Sequence, residues 1–211
     1  MDTISFPVLG ISHVTPEDFV RFWEQLYSGY NEEFYRENIG QPLTEERIAK
    51  WFEWKNGTPL SKNKTQTISR YSSPEERIGH GADAATLGAF LNRPGGTIWR
   101  IFWLHLQHPQ HFPIYDQHVH RAMAVLLKWP EPKCEIPDHN PTKVRTYLDE
   151  YCPFFKRFDG SEHRKVDRAL WSFGQLLGQN PLLVSWLKRQ WTGDQHTVRT
   201  VPVTRTPCDA W

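Results

Sequence analysis

Apolar positions along this chain recur at three- and four-residue steps, and the polar stretches between them carry capping or breaking residues. Thr15-Pro16-Glu17-Asp18 reads as a helix start: a capping hydroxyl, proline at the first helical position and acids in the first turn. Phe19, Phe22, Trp23, Leu26, Tyr27 and Tyr30 follow on one predicted face. Thr44-Glu45-Glu46-Arg47 opens a second helix with Ile48, Trp51 and Phe52 inward, ending near Asn56-Gly57. Residues 57–73 are polar and predict a solvated loop with a short helix. Ser73-Pro74-Glu75-Glu76 has the form of a capping box and predicts another start. Ala82 to Leu91, rich in small residues, predicts a helix that a neighbour can approach closely.

The stretch from Arg93 to Met123, RPGGTIWRIFWLHLQHPQHFPIYDQHVHRAM, is the most organised part of the pattern. Pro94, Gly95 and Gly96 give a tight turn, because glycine tolerates positive φ. Ile98, Trp99, Ile101, Phe102, Trp103, Leu104 and Leu106 are apolar almost all round, so this helix is expected to be buried. Pro109 and Pro113 end it, and Asp116 sits at an N-cap before Val119, Ala122, Met123, Leu126 and Leu127. A proline-rich stretch at 130–142 reads as a lobe connector or surface loop. Val144, Tyr147, Leu148 and Tyr151 mark the next helix. Val166, Ala169, Leu170, Phe173, Leu176 and Leu177 mark another, ending at Gly178. Pro181 begins the last, with Leu183, Trp186, Leu187 and Trp191. Residues 1–14 read as an extended lead-in, and the tail 192–211 as a short hairpin or loose extension. The expectation is an all-α fold, one helical domain over 1–211 built as two lobes.

Composition narrows the class. Ten Trp, seven Tyr and twelve Phe in 211 residues argue against disorder and supply ample core. A net charge of +1 lacks the basic excess of many nucleic-acid-binding domains, although a local patch is invisible in a total. Cys134, Cys152 and Cys208 are widely spaced and form no C-x-x-C pair, so neither a disulfide framework nor a Cys-rich zinc site is indicated. No apolar run approaches a membrane span, and MDTISFPVLG lacks the basic flank and apolar core of a signal peptide. The expected place is the cytoplasm, on the nucleoid in a prokaryote or in the nucleus of a eukaryote, with no membrane association.

The frame RPGG–TIWRIFWLHL–QHPQHFPIY–DQHVHR resembles the helix-hairpin-helix DNA glycosylase superfamily. There a hairpin of the form LPGVG leads to a helix of about a dozen residues, a short loop and then an aspartate in a V-D-T-H-V-x-R segment. Gly96 to Asp116 is a step of 20 residues, close to the family separation, and the likeness covers about 30 residues of the 211. It implies a two-lobed helix-hairpin-helix fold, DNA as partner and Asp116 as the catalytic carboxylate, which stabilises an oxocarbenium-like transition state and orients water. It implies that Arg93, Gly95, Gly96 and Thr97 clamp a phosphate, with His118 and Arg121 as further phosphate contacts. Leu60-Ser61-Lys62-Asn63-Lys64-Thr65 is similar to the family's groove-wedging segment, with Lys62 and Lys64 suited to phosphates. Trp54, Lys55 and Asn56 are the candidate base pocket, since excision requires the base to leave the stack.

Two features depart from the family. Gly95-Gly96 stands where Gly-Val-Gly is usual, and the cysteines for an iron–sulfur cluster are missing, so no cofactor is expected. Lytic members place a lysine just after the hairpin, whereas no lysine occurs here from 65 to 127. A monofunctional enzyme that leaves an abasic site, in repair or in defence against modified DNA, is therefore expected.

Two other function classes fit parts of the chain. By local sequence alone Asp116 is a plain N-cap, and a non-enzymatic nucleic-acid-binding module would keep the hairpin. His105, His108, His111, His118 and His120 crowd one region and, with Asp116, would suit a metal-dependent hydrolase, but their spacing matches no metal-ligand signature. No metal ligand is therefore assigned, and no protein partner is indicated.

Overall fold

A computed structural model describes residues 14–79, 81–128 and 134–191, and among these the chain is helical, without a strand. The lead-in before Val14 and the tail from 192 lie outside the described residues.

Helix α1 (Pro16–Trp23) starts as its sequence dictates: Thr15 Oγ1 accepts from the Asp18 N–H at 3.2 Å, and proline fills the first turn. It then tightens into a 3-10 turn over Glu24–Leu26. The expected apolar stripe is therefore split: Phe19, Trp23, Tyr27 and Tyr30 pack against the core, and two of its members do not. Val20 is buried, while Phe22 and Leu26 are 59% and 52% exposed. Helix α2 (Glu32–Asn38), which the apolar spacing did not predict, is set by local chemistry: Asn31 Oδ1 accepts from Phe34 N–H, and Glu32 and Glu33 fill the first turn. Helix α3 (Glu45–Asn56) is capped by Thr44 and stopped by left-handed Gly57, as its sequence predicts.

The polar stretch 57–73 contains α4 (Lys62–Ile68) and a 3-10 turn at Ser69–Ser72. Ser73-Pro74-Glu75-Glu76 makes only a 3-10 turn over Pro74–Glu76, not a helix. The reason is Glu76. Its carboxylate turns inward to the buried Arg100 guanidinium at 2.6 Å instead of closing a capping box. Helix α5 (Ala84–Leu91) follows, with Asp83 accepting from Thr86 N–H at 2.7 Å.

Helix α6 (Thr97–Gln107) is the spine of the core, with Ile101, Phe102, Trp103 and Leu104 wholly buried. Arg100, Trp103, His105 and Gln107 on it all have hydrogen-bond partners. Arg100 also donates to the Pro94 and Arg93 carbonyls, pinning the turn between α5 and α6. His105 Nδ1–H donates to Phe112 O, leaving Nε2 to accept from the Tyr35 hydroxyl at 2.9 Å. Helix α7 (Gln117–Leu126) begins at Asp116.

The connector or loop expected over 130–142 gives way to helix before its expected end. Residues 129–133 lie outside the description, and α8 (Asn140–Arg145) already begins within the proline-rich stretch. It continues as a π-helical segment (Thr146–Tyr151) into α9 (Cys152–Phe155). The wide turn has a consequence: Tyr147 and Tyr151 both reach the loop before Asp116, donating to Pro113 O at 3.2 Å and Ile114 O at 3.0 Å. The long α10 (His163–Gln179) packs on α7 and α1, and α11 (Pro181–Trp191) closes the described chain. Gly174 permits the α7 contact: a Cβ there would stand 1.9 Å from the His118 carbonyl oxygen. The buried side chains form one continuous cluster from Val20 to Leu187.

Candidate active site

Asp116 is the first residue of the site that the backbone fixes. Its carboxylate Oδ1 accepts from the N–H groups of His118 (2.9 Å) and Val119 (3.2 Å), the free donors at the start of α7. Its other oxygen, Oδ2, faces Lys55 Nζ at 2.7 Å, with the two side chains only 8% (Lys55) and 14% (Asp116) exposed. Lys55 arrives from the last turn of α3, and its ammonium also lies over the Tyr30 and Phe102 rings at 5.6 and 6.0 Å. Burial by itself would raise the Asp116 carboxyl. The Lys55 charge and hydrogen bond, with help from His118 and the Val119 N–H, overcome it and hold the group below the usual carboxylate range. Burial likewise opposes the Lys55 ammonium, and Asp116 reverses the balance, so its pKa is raised. Both partners are charged at neutral pH.

A cavity opens beside the pair. Tyr27, Tyr30, Trp54 and Trp171 wall it, and Asp116 and Asp167 both line it. Its void is about 10 Å³, the room of one water molecule. Arg164 braces the walls: its guanidinium lies 4.1 Å from the Tyr35 ring centre, 5.3 Å from Tyr27 and 5.4 Å from Trp54. Its nitrogens donate to the Glu32 carboxylate at 2.6–3.2 Å and to Tyr27 Oη at 3.2 Å. Asp167, one turn further along α10, is 4% exposed. Its Oδ1 has no hydrogen-bond partner. Burial pushes its carboxyl up to about 7, against the pull of Arg164 and Lys55 and with the push of Asp116. Two carboxyl groups therefore share one cavity with their proton affinities pushed in opposite directions.

The predicted phosphate clamp is a turn with both glycines at positive φ, +119° at Gly95 and +89° at Gly96. Gly96 caps α6 without a side-chain bond; Trp99 N–H reaches back to Gly96 O at 3.1 Å, and the Thr97 and Ile98 N–H groups have no intrahelical acceptor. Thr97 is buried and its Oγ1 is unpartnered. Helix α4 lies alongside: Thr67 Cγ2 is 3.4 Å from where a Cβ on Gly95 would stand. Lys62 is exposed on α4, and Lys64 donates to Asn56 Oδ1 at 2.6 Å and covers Trp99. Contacts thus run from the glycine turn through α4 to Asn56, next to Lys55 and Asp116.

The remaining predicted positions are placed differently from one another. Trp54 is in the cavity wall, its Nε1 donating to Asn31 O at 2.7 Å. Lys55 is the countercharge of Asp116. Asn56 bonds Thr58 and Lys64 and does not line the cavity. Arg93 is exposed over Phe90 and donates to Glu75 O at 3.1 Å. His118 packs its ring on Trp171 at 4.9 Å. Arg121 is spent on Glu135 (3.2 Å) and Gly174 O (3.3 Å).

The histidines disperse. His105 is a neutral core residue whose pKa burial lowers to about 3, His108 bonds Ile78 O, and His120 bonds the Tyr115 hydroxyl. No group of three or more metal-ligating side chains exists among the described residues.

Sequence reasoning missed Arg164, Asp167 and Trp171 as residues of this site. A signal was present: the three stand at i, i+3 and i+7, one face of α10. None of the described helices is long and apolar enough to cross a membrane. No family model, curated protein or solved structure matches the chain.

Proposed function

We propose that this protein is a monofunctional DNA N-glycosylase, with Asp116 as its catalytic carboxylate. The observation that carries the reading is a carboxylate held ionised at a helix start, inside an aromatic-walled cavity. An N-glycosidic bond breaks through positive charge on the sugar, and a fixed anion in a water-poor site stabilises that charge far better than solvent does. Aromatic walls suit the faces of a flipped base. The void holds only one water, so the Tyr30 and Trp171 walls part when a base enters. The glycine turn offers N–H groups to a backbone phosphate, with Lys62, Lys64 and Arg93 as nearby cations.

Lys55 changes the lysine argument made from sequence, since an amine stands beside Asp116 although none follows the turn. Its pairing keeps it protonated, and an ammonium is no nucleophile. Hydrolysis without a covalent intermediate remains the favoured course.

The test is base release from oligonucleotides carrying damaged, mismatched and hypermodified bases, with and without EDTA. Alkali-dependent strand cleavage that resists EDTA and vanishes in Asp116→Asn is the expected result. Borohydride trapping of a protein–DNA adduct that disappears in Lys55→Met would make the enzyme a lyase instead. Salt-sensitive DNA binding that survives Asp116→Asn without any base release would favour a binding module.

A further inference from the structure

The second carboxyl of the cavity has no part in the mechanism above. Asp167 comes from α10, facing the cavity beside Arg164 and Trp171, whereas Asp116 comes from the start of α7. A buried carboxylate is normally paired or richly hydrogen-bonded. Asp167 instead leaves Oδ1 unpartnered, in a cavity walled by aromatic rings. Arg164, on its own helix, is already committed to Glu32. Lys55, from α3, is committed to Asp116. The charges that bear on Asp167 are these two cations and Asp116, and its own charge in turn bears on the neutral Tyr35, Tyr147 and Tyr151 hydroxyls.

We propose that Asp167 is the general acid of this site, protonating the departing base, and that the enzyme therefore acts on neutral bases. The inference rests on the glycosylase reading. As the C1′–N bond breaks, its electron pair moves onto the base, and the Asp167 proton passes to a ring nitrogen. Water adds to C1′ on the sugar, oriented by Asp116, and its proton returns to the Asp167 carboxylate. The sum is base–sugar plus water giving free base and an abasic sugar, with both carboxyl groups restored. A neutral base leaves poorly as an anion, so this proton lowers its barrier. A base already cationic, such as N7-methylguanine, leaves neutral and gains little from it. This division of labour, one carboxyl ionised and one protonated, follows from their unlike surroundings.

The experiment compares wild type, Asp167→Asn and Asp116→Asn on oligonucleotides carrying hypoxanthine, 8-oxoguanine or N7-methylguanine, from pH 5 to 9. Asparagine is the isosteric neutral replacement, and a thermal melt checks the fold. Expected is release of a neutral base that declines as pH rises through about 7. Asp167→Asn should cut it about 100-fold and flatten that decline, while changing N7-methylguanine release little. Infrared spectra of the unliganded wild type should show a carboxylic-acid band that titrates near pH 7 and is missing from Asp167→Asn. Absence of that band at pH 6, equal losses on neutral and cationic bases, or an unchanged alkaline limb would overturn the proposal and leave the glycosylase reading standing. A wild-type protein that releases no base from any of the three, nor from the wider panel, would sink both.

Discussion

Lys55 Nζ lies 2.7 Å from Asp116 Oδ2, an ion pair between residues 61 positions apart that is almost closed to solvent. Each partner makes the other's charge tenable. Removing one leaves the other buried and uncompensated, so Lys55→Met should destabilise the fold by roughly 3–5 kcal/mol. With the cation gone, the Asp116 pKa rises, and the acid-side loss of activity moves to higher pH. The double variant Lys55→Met/Asp116→Asn should be more stable than the sum of the single losses by about 2 kcal/mol, measured by denaturant unfolding. Strict additivity would mean that the pair is not coupled.

Asp167 gives stability its own pH dependence. Its carboxyl stands near 7 in the fold against an ordinary value of 3.8, so between these limits the native state holds a proton that the unfolded chain has lost. Stability contributed by this group therefore falls as pH rises from about 4 to 7, by roughly 4 kcal/mol over the whole window. His105 acts in the opposite sense: with its pKa lowered to about 3, stability rises as pH climbs from 3 towards 6.5. The two partly cancel in wild type. The difference between wild type and Asp167→Asn isolates the carboxyl, and the variant should gain on wild type steadily from pH 4 to 7. A constant difference across that range would contradict the assignment.

The α7–α10 contact predicts a graded pair of glycine variants. A Cβ on Gly174 would stand 1.9 Å from the His118 backbone oxygen, whereas one on Gly178 would meet the Arg121 guanidinium at 2.3 Å. Backbone cannot swing aside; the end of a long side chain can. Gly174→Ala should cost about 3 kcal/mol and Gly178→Ala about 1 kcal/mol in chemical denaturation. Gly174→Ala should also depress base release, because the displaced His118 segment supplies an N–H to Asp116.

The turn at Gly95 and Gly96 should answer differently. A Cβ at Gly96 meets open space, but φ of +89° strains any other residue. Gly96→Val should lose about 1–2 kcal/mol of stability. DNA affinity should weaken as well, with the infrared band of Asp167 unmoved. Unchanged affinity in a fluorescence-anisotropy titration would remove this turn from the DNA surface.

The sequence by itself determined the local parts of this site. Proline and two glycines require the turn before α6, an apolar surface all round requires its burial, and an aspartate before Gln117 caps α7 whatever surrounds it. These are legible because cap chemistry, positive φ and helical period act within a few residues. Tertiary structure decided what Asp116 meets. Lys55 reaches it only because α3 ends against the start of α7, and Arg164, Asp167 and Trp171 join because Gly174 lets α10 lie close to α7. It also turned Phe22 and Leu26 outward, made Glu76 the partner of Arg100, and spread His105, His108, His118 and His120 over separate hydrogen bonds and ring contacts. An apolar stripe says that a face is buried but not against what. The charge, burial and proton affinity of a site depend on groups brought together from distant positions, so they are fixed only when the helices pack.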